Sequence, residues 1–309
     1  MSAAGPSQGA SSSPAGGSAV AKRQAWAGRP GVSLTLAAPA KLNLFLHVIG
    51  RRADGYHTLE SLFVLVDLAD TLELADRDDA TIVRTAPVDG VDERADLTLR
   101  AAHALRDAAG VSRGASIRLV KRIPQGAGLG GGSSDAATVL LGLNRLWSLR
   151  LSRADLMRIG VQVGADVPFF LGGGAALARG IGDVLTPMSV PPCWVALAMP
   201  RARVSTASIF ASRELTPSAA SAKMDVFSEG YGHNDLEAAA VAQFPPVGEA
   251  VQALRRASPH ARMTGSGACV FASFETECDA QRALAVLPAG MPGCVVRTLA
   301  RHPLASFAA

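Results

Sequence analysis

Apolar and polar residues alternate along residues 41–49. Leu42, Leu44, Leu46 and Val48 fall on one face and Lys41, Asn43, Phe45 and His47 on the other, which is the two-residue period of a strand. Residues 32–36 predict a strand before it, broken at Pro39, because proline cannot donate to a ladder. After the Asp54-Gly55 turn, residues 59–66 form a denser apolar run and predict the partner strand, and residues 71–74 and 81–83 predict short ones. The period then changes. Leu97, Ala101 and Leu105 recur at helical spacing and predict a helix over 96–109. Residues 115–123 carry Arg118, Lys121 and Arg122 among apolar neighbours, as a half-exposed antiparallel strand does.

A second helix is predicted from about Ser133 to Leu149, ridged by Ala137, Leu140, Leu141, Asn144 and Trp147. Ser152 with Asp155 marks the start of a third, and Pro168 suits the first turn of a short fourth. Pro191-Pro192 closes an apolar stretch and makes a natural seam. Beyond it, residues 193–199 and 269–274 predict strands and residues 249–257 a helix. Strands and helices mix without strict alternation, which predicts α+β layers rather than a doubly wound sheet. Residues 1–31 predict a disordered tail, residues 32–188 a first domain and residues 189–309 a second.

Between the basic strand and the second helix lies Pro-Gln-Gly-Ala-Gly-Leu-Gly-Gly-Gly-Ser-Ser-Asp-Ala-Ala, residues 124–137. Glycine adds no apolar area and loses the most backbone freedom on folding, so this stretch does not serve a core. It leaves backbone N–H groups uncovered at the start of a helix, where the dipole also favours an anion. It therefore predicts a phosphate-binding loop. A Walker loop needs Lys and Ser/Thr after its last glycine, and Gly132 is followed by Ser133. Gly126, Gly128 and Gly131 match the Rossmann spacing, but the preceding strand is basic rather than an unbroken apolar run. The His-Arg-Asp and Asp-Phe-Gly signatures of protein kinases are missing.

Composition narrows the class further. The net charge of +4 over 309 residues, with acids and bases interleaved, argues against nucleic acid as partner and suits small anionic molecules. No apolar run reaches the length of a membrane span. Cys193, Cys269, Cys278 and Cys294 form no C-x-x-C pair, which predicts reduced, mostly buried thiols in a cytoplasmic protein. The tail lacks an apolar h-region, so a secretory signal is not expected. It also lacks acids, which leaves a transit peptide open.

Three segments taken together resemble the signature motifs of the GHMP small-molecule kinases. They are Ala-Pro-Ala-Lys-Leu-Asn-Leu at 38–44, the glycine loop, and Thr-Gly-Ser-Gly-Ala-Cys-Val-Phe at 264–271, in the family's order. The Gly-Leu-Gly-Gly-Gly-Ser-Ser variant, with Gly-Tyr-His at 55–57 and Gly-Ala-Asp-Val-Pro at 164–168, resembles the branch acting on a cytidylyl-linked methylerythritol. The resemblance implies a two-domain α+β kinase with its site in the cleft and a small-molecule substrate, as a monomer or weak homodimer. ATP would be the donor, with Mg²⁺ carried by the nucleotide rather than by a protein metal site. By the same resemblance Lys41 and Asp166 are catalytic. Pro124, Gln125, Gly126, Ala127, Gly128, Leu129, Gly130, Gly131, Gly132, Ser133 and Ser134 bind ATP. Asn43, Tyr56, His57, Thr206 and Phe210 bind the acceptor, with Tyr56 and Phe210 stacking on the cytosine ring. Without the resemblance, Asp166 reads as a helix N-cap beside Pro168. Asp135 stands where asparagine is common, and at the first turn of a helix it is expected to point away from the phosphates. Two other expectations stay open: a homoserine- or mevalonate-type acceptor, and a non-catalytic ligand sensor on the same scaffold.

Overall fold

The computed structural model describes residues 1, 32–212, 215 and 231–308. The expected tail therefore lies outside the described residues, apart from Met1. Ten strands form the sheet: β1 (Ser33–Arg51), β2 (His57–Arg77), β3 (Ile82–Arg84), β4 (Gly114–Val120), β5 (Ala176–Gly180), β6 (Val184–Pro187), β7 (Trp194–Ala198), β8 (Arg262–Met263), β9 (Val270–Phe274) and β10 (Gly293–Leu299). Among the described residues eight α-helices pack on them: α1 (Leu97–Ala109), α2 (Gly131–Leu146), α3 (Arg153–Val163), α4 (Val167–Gly172), α5 (Thr206–Phe210), α6 (Glu237–Gln243), α7 (Pro245–Ala257) and α8 (Glu277–Leu284). Among the described residues no helix is long and apolar enough to cross a membrane.

The long antiparallel hairpin of β1 and β2 organises the molecule. The 21 residues of β2 absorb both runs that the pattern predicted as separate strands. On its other side β2 pairs with β4, β5 and, through Leu65 and Val66, with β10. Pro39 does not end β1 as expected. The strand shifts register between Pro39 and Ala40, so the imino nitrogen sits at a bulge where no ladder bond is required. A second shift between Asn43 and Leu46 spoils the simple alternation. Phe45 packs with Leu42 and Leu44 in one core, whereas Leu46 and Val48 join another. Both faces of this stretch are buried, because helices cover one and the second half of the chain covers the other.

Three apolar cores follow. The first packs α1 to α4 on the sheet, with Gly142 bringing α2 so close that an added β-carbon would lie 2.4 Å from the Leu74 Cδ1. The second packs α6, α7 and α8 on β7 and β9. The third lies under the glycine loop, between them. Helix starts follow the sequence signals. Asp96 caps α1 through the Thr98 N–H, and Ser152 and Asp155 complete a reciprocal capping box on α3. The α2 helix begins at Gly131, two residues before the expected Ser133. The seam at residues 188–192 falls between β6 and β7. However, residues 300–308 return to the first half, where Leu304 and Ala308 enter its core and Arg153 donates to the carbonyls of Ala305 and Ala308.

Candidate active site

The glycine loop, residues 124–130, links β4 to α2. Gly126, Gly128 and Gly130 have φ of +64°, +76° and +68°. Gly128 shows what this shape serves. A β-carbon there would lie 2.2 Å from the Thr264 carbonyl oxygen, and one on Gly265 would lie 2.9 Å from the Gly128 Cα. The loop and the turn at 264–268 thus meet backbone to backbone, closer than side chains permit. The Lys41 N–H donates to Leu129 O (3.0 Å) and the Cys269 N–H to Ala127 O (3.2 Å), holding the loop from both halves of the chain. Asn234 fastens the same turn. Its Nδ2 donates to the carbonyls of Met263 and Gly265, each at 2.8 Å.

A cavity of about 550 Å³ opens over this loop, lined by its residues and on through Ser133, by Lys41, Asn43 and Asp166, and by Thr206, Phe210 and Gly265 from the second half. Gly130 is the N-cap of α2 and supplies no side-chain bond, so the first N–H groups of that helix have no covering side chain. With the positive end of the helix dipole, they form an anion site. Ala127 and Leu129 turn their side chains into the core, and Gln125 donates to the Asp89 carbonyl, so a ligand meets mainly their backbone. Ser134 is a correction. Its hydroxyl is fully buried, donates to Pro39 O at 2.6 Å and does not line the cavity. It joins α2 to β1, while Ser133 is the hydroxyl at the wall.

Lys41 is buried, and its ammonium stands 2.5 Å from Asn43 Oδ1, 3.7 Å from Asp166 Oδ2 and 4.6 Å from the centre of the Phe63 ring. Burial pushes its pKa below the usual lysine range, and the Asp166 carboxylate opposes that shift. Asp166 occupies the N-cap position of α4 but makes no capping bond, which removes its ordinary structural explanation. It remains one-third exposed, at 33%, with its carboxylate toward Lys41 and the cavity. Asn43 lies at the wall too, with its side-chain amide already engaged. Its Nδ2 donates to Ser61 Oγ (2.8 Å), and its backbone N–H donates to Thr264 Oγ1 (2.8 Å).

At the end of the β1–β2 hairpin, His57 stacks on Phe210, with ring centroids 5.1 Å apart and an interplanar angle of 23°. Burial and the nearby Arg51 lower the His57 pKa, which favours the neutral ring. Thr206 Oγ1 lies 2.8 Å from Ser266 Oγ. His57 does not line the cavity, and neither does Tyr56. It sits 63% exposed at the tip of the β1–β2 hairpin, one residue before the stacked His57.

Other features of the site escaped the sequence. Val88, Val91, Leu97 and Leu119 make an apolar wall beyond the loop, brought together from segments with no shared motif. Lys121 bridges Asp70 (2.5 Å) and Asp135 (2.8 Å), while the other oxygen of Asp70 accepts from the N–H groups of Arg122 and Ile123 at the loop's entrance. Asp135 therefore faces a lysine at the cavity edge rather than pointing away. Burial pushes its carboxyl up, to about 7, against the pull of Lys121. The basic strand was the one available signal for Lys121. Among the described residues no three His, Cys, Asp or Glu side chains gather as a metal site.

Comparison with known proteins agrees with this geometry. Residues 96–174 match the model described as GHMP kinases N terminal domain, and residues 215–293 match GHMP kinases C terminal. The chain is 52% identical over 276 residues to a 4-diphosphocytidyl-2-C-methyl-D-erythritol kinase of Thiobacillus denitrificans, covering 89% of this chain and 99% of that one. A crystal structure of 4-(cytidine 5'-diphospho)-2C-methyl-D-erythritol kinase superposes with a TM-score of 0.73 at 36% identity, over 86% of this chain and 99% of that one. A homoserine kinase from Cytophaga hutchinsonii shares the fold at 19% identity and a TM-score of 0.66, over 87% of this chain and 95% of that one.

Proposed function

The chain belongs to the GHMP kinases, and from that membership we propose that it transfers the γ-phosphoryl group of ATP to the 2-hydroxyl of 4-diphosphocytidyl-2-C-methyl-D-erythritol. The observation that carries this reading is the Lys41–Asp166 couple, set across one cavity from the uncovered N-terminus of α2.

Phosphoryl transfer asks a protein mainly for positioning and for charge stabilisation where the transferring group passes. Backbone N–H groups of the glycine loop and of the first turn of α2 hold the polyphosphate. Lys41, kept dry by burial, stabilises negative charge on the moving phosphoryl group more strongly than it could in water. Asp166 orients the acceptor hydroxyl and receives its proton. A magnesium ion bound with the nucleotide would neutralise phosphate charge. Ser133 and Asp166 are oxygen donors at the wall that would face it. The His57–Phe210 stack offers the cytosine a flat partner, and Tyr56 is an exposed aromatic beside it that a bound ring would cover. A homoserine- or mevalonate-type acceptor would leave these rings with nothing to stack on.

The test is incubation with MgATP and the cytidylyl methylerythritol, followed by phosphorus NMR, with homoserine and mevalonate in parallel. A new phosphomonoester from the cytidylyl compound alone is the expected result. Phosphorylation of either simple alcohol instead, or of none, would overturn the reading.

A further inference from the structure

Three residues bond to Asn43, namely Lys41, Thr264 and Ser61, and the last belongs to none of the sequence motifs. Ser61 lies on β2, buried to 2%, and is bonded on both sides. Its hydroxyl donates to Phe45 O (2.5 Å), which leaves its lone pairs free to accept from Asn43 Nδ2 at 2.8 Å. An amide side chain has one donating and one accepting end. With Nδ2 committed to Ser61, Oδ1 must face the other way, where it accepts from Lys41 Nζ at 2.5 Å and lies 3.4 Å from Thr264 Oγ1. If the amide were reversed, its NH₂ group would meet the Lys41 ammonium, donor against donor.

We propose that Ser61 is a positioning residue for the transfer: by accepting from the Asn43 amide it fixes which end of that amide faces Lys41, and so where the ammonium stands between Asp166 and the phosphates. This inference rests on the kinase reading above, since it assigns Ser61 a part in the same step. Ser61 lines the same cavity, but its hydroxyl is taken up by Phe45 O and Asn43 Nδ2. Its effect passes through two side chains, and it bears on the chemical step rather than on nucleotide binding, because the loop that holds the polyphosphate is built from backbone elsewhere. Lys41 is held charged partly by the oxygens around it. Releasing Asn43 Oδ1 therefore makes its proton easier to lose.

The experiment compares Ser61→Ala, Asn43→Ala and the double variant with the wild type, measuring kcat, KM for ATP and the pH dependence of kcat. Ser61→Ala should lower kcat about tenfold, leave KM for ATP within twofold, and move the basic limb of the kcat profile to lower pH. In the Asn43→Ala background the serine change should have almost no further effect on kcat, because its route to Lys41 is already gone. Should Ser61→Ala fail to fold, Ser61→Cys keeps the volume, accepts hydrogen bonds poorly and is held to the same expectations. Wild-type kcat, an unmoved basic limb, or kcat losses that multiply in the double variant would each overturn the proposal. A wild type that phosphorylates nothing would instead overturn the kinase reading, so the two failures are distinct.

Discussion

At the scale of single residues, the proposed chemistry rests on one buried cation, Lys41, and one partly exposed carboxylate, Asp166. Asp166 holds a helix N-cap position without capping, so removing its side chain takes no hydrogen bond from α4. Asp166→Ala should therefore fold with α4 intact and bind ATP, while kcat falls by about 10²–10⁴. Steady-state kinetics beside a nucleotide-binding titration check this, and a near-normal kcat would remove Asp166 from the mechanism. The acceptor end makes a separate prediction. Phe210→Ala and Tyr56→Ala should each raise KM for the cytidylyl substrate, by about tenfold for the stacked Phe210, and spare KM for ATP. Equal damage to both KM values would place these rings elsewhere in the catalytic cycle.

At the scale of elements, the glycine loop works only because the turn at 264–268 meets it without side chains in between. Gly126 and Gly128 share positive φ, so alanine is strained at either, but their surroundings differ. A β-carbon on Gly126 meets nothing nearer than Val204 O at 3.9 Å, whereas one on Gly128 would overlap Thr264 O. Gly126→Ala should cost about 1–2 kcal/mol from the backbone conformation alone. Gly128→Ala should cost on the order of 4 kcal/mol and weaken ATP binding, because it forces apart the two halves of the cavity wall. Urea denaturation of both variants compares them, and equal losses would mean that the loop does not bear on the turn. The loop's glycines and its place before a helix were legible in the sequence and carry the proposal of an anion site. Its contact with the turn was not, since more than a hundred residues separate the two.

At the scale of the whole molecule, the chain closes on itself through its C-terminal segment. The His302 N–H donates to Gly173 O, its Nδ1 accepts from the Leu304 N–H, and its buried Nε2 has no partner. Burial, reinforced by Arg153, lowers its pKa from 6.5 to about 4. Between those values the unfolded chain binds the proton and the folded chain does not, so stability is full above pH 6.5 and falls as pH drops toward 4. The loss should reach about 3 kcal/mol at the acid end. His302→Asn keeps an acceptor near the Nδ1 position and should flatten that part of the profile, as read from melting temperatures across pH. Parallel curves for the two proteins would exclude His302 as the source.

From its order of residues alone, the protein's α+β class, its phosphate loop and the Lys41–Asp166 assignment could be argued, because backbone freedom, periodicity and motif order are local properties. Tertiary structure decided the rest. It continued β1 through Pro39 by a bulge, withdrew Ser134 into a helix–strand contact and left Tyr56 on a hairpin tip. It also set Lys121 between two aspartates and gave Ser61 its hold on Asn43. Each of these depends on which distant backbone group or side chain lies within hydrogen-bond reach, and such distances arise only once the sheet and the two halves of the chain have packed.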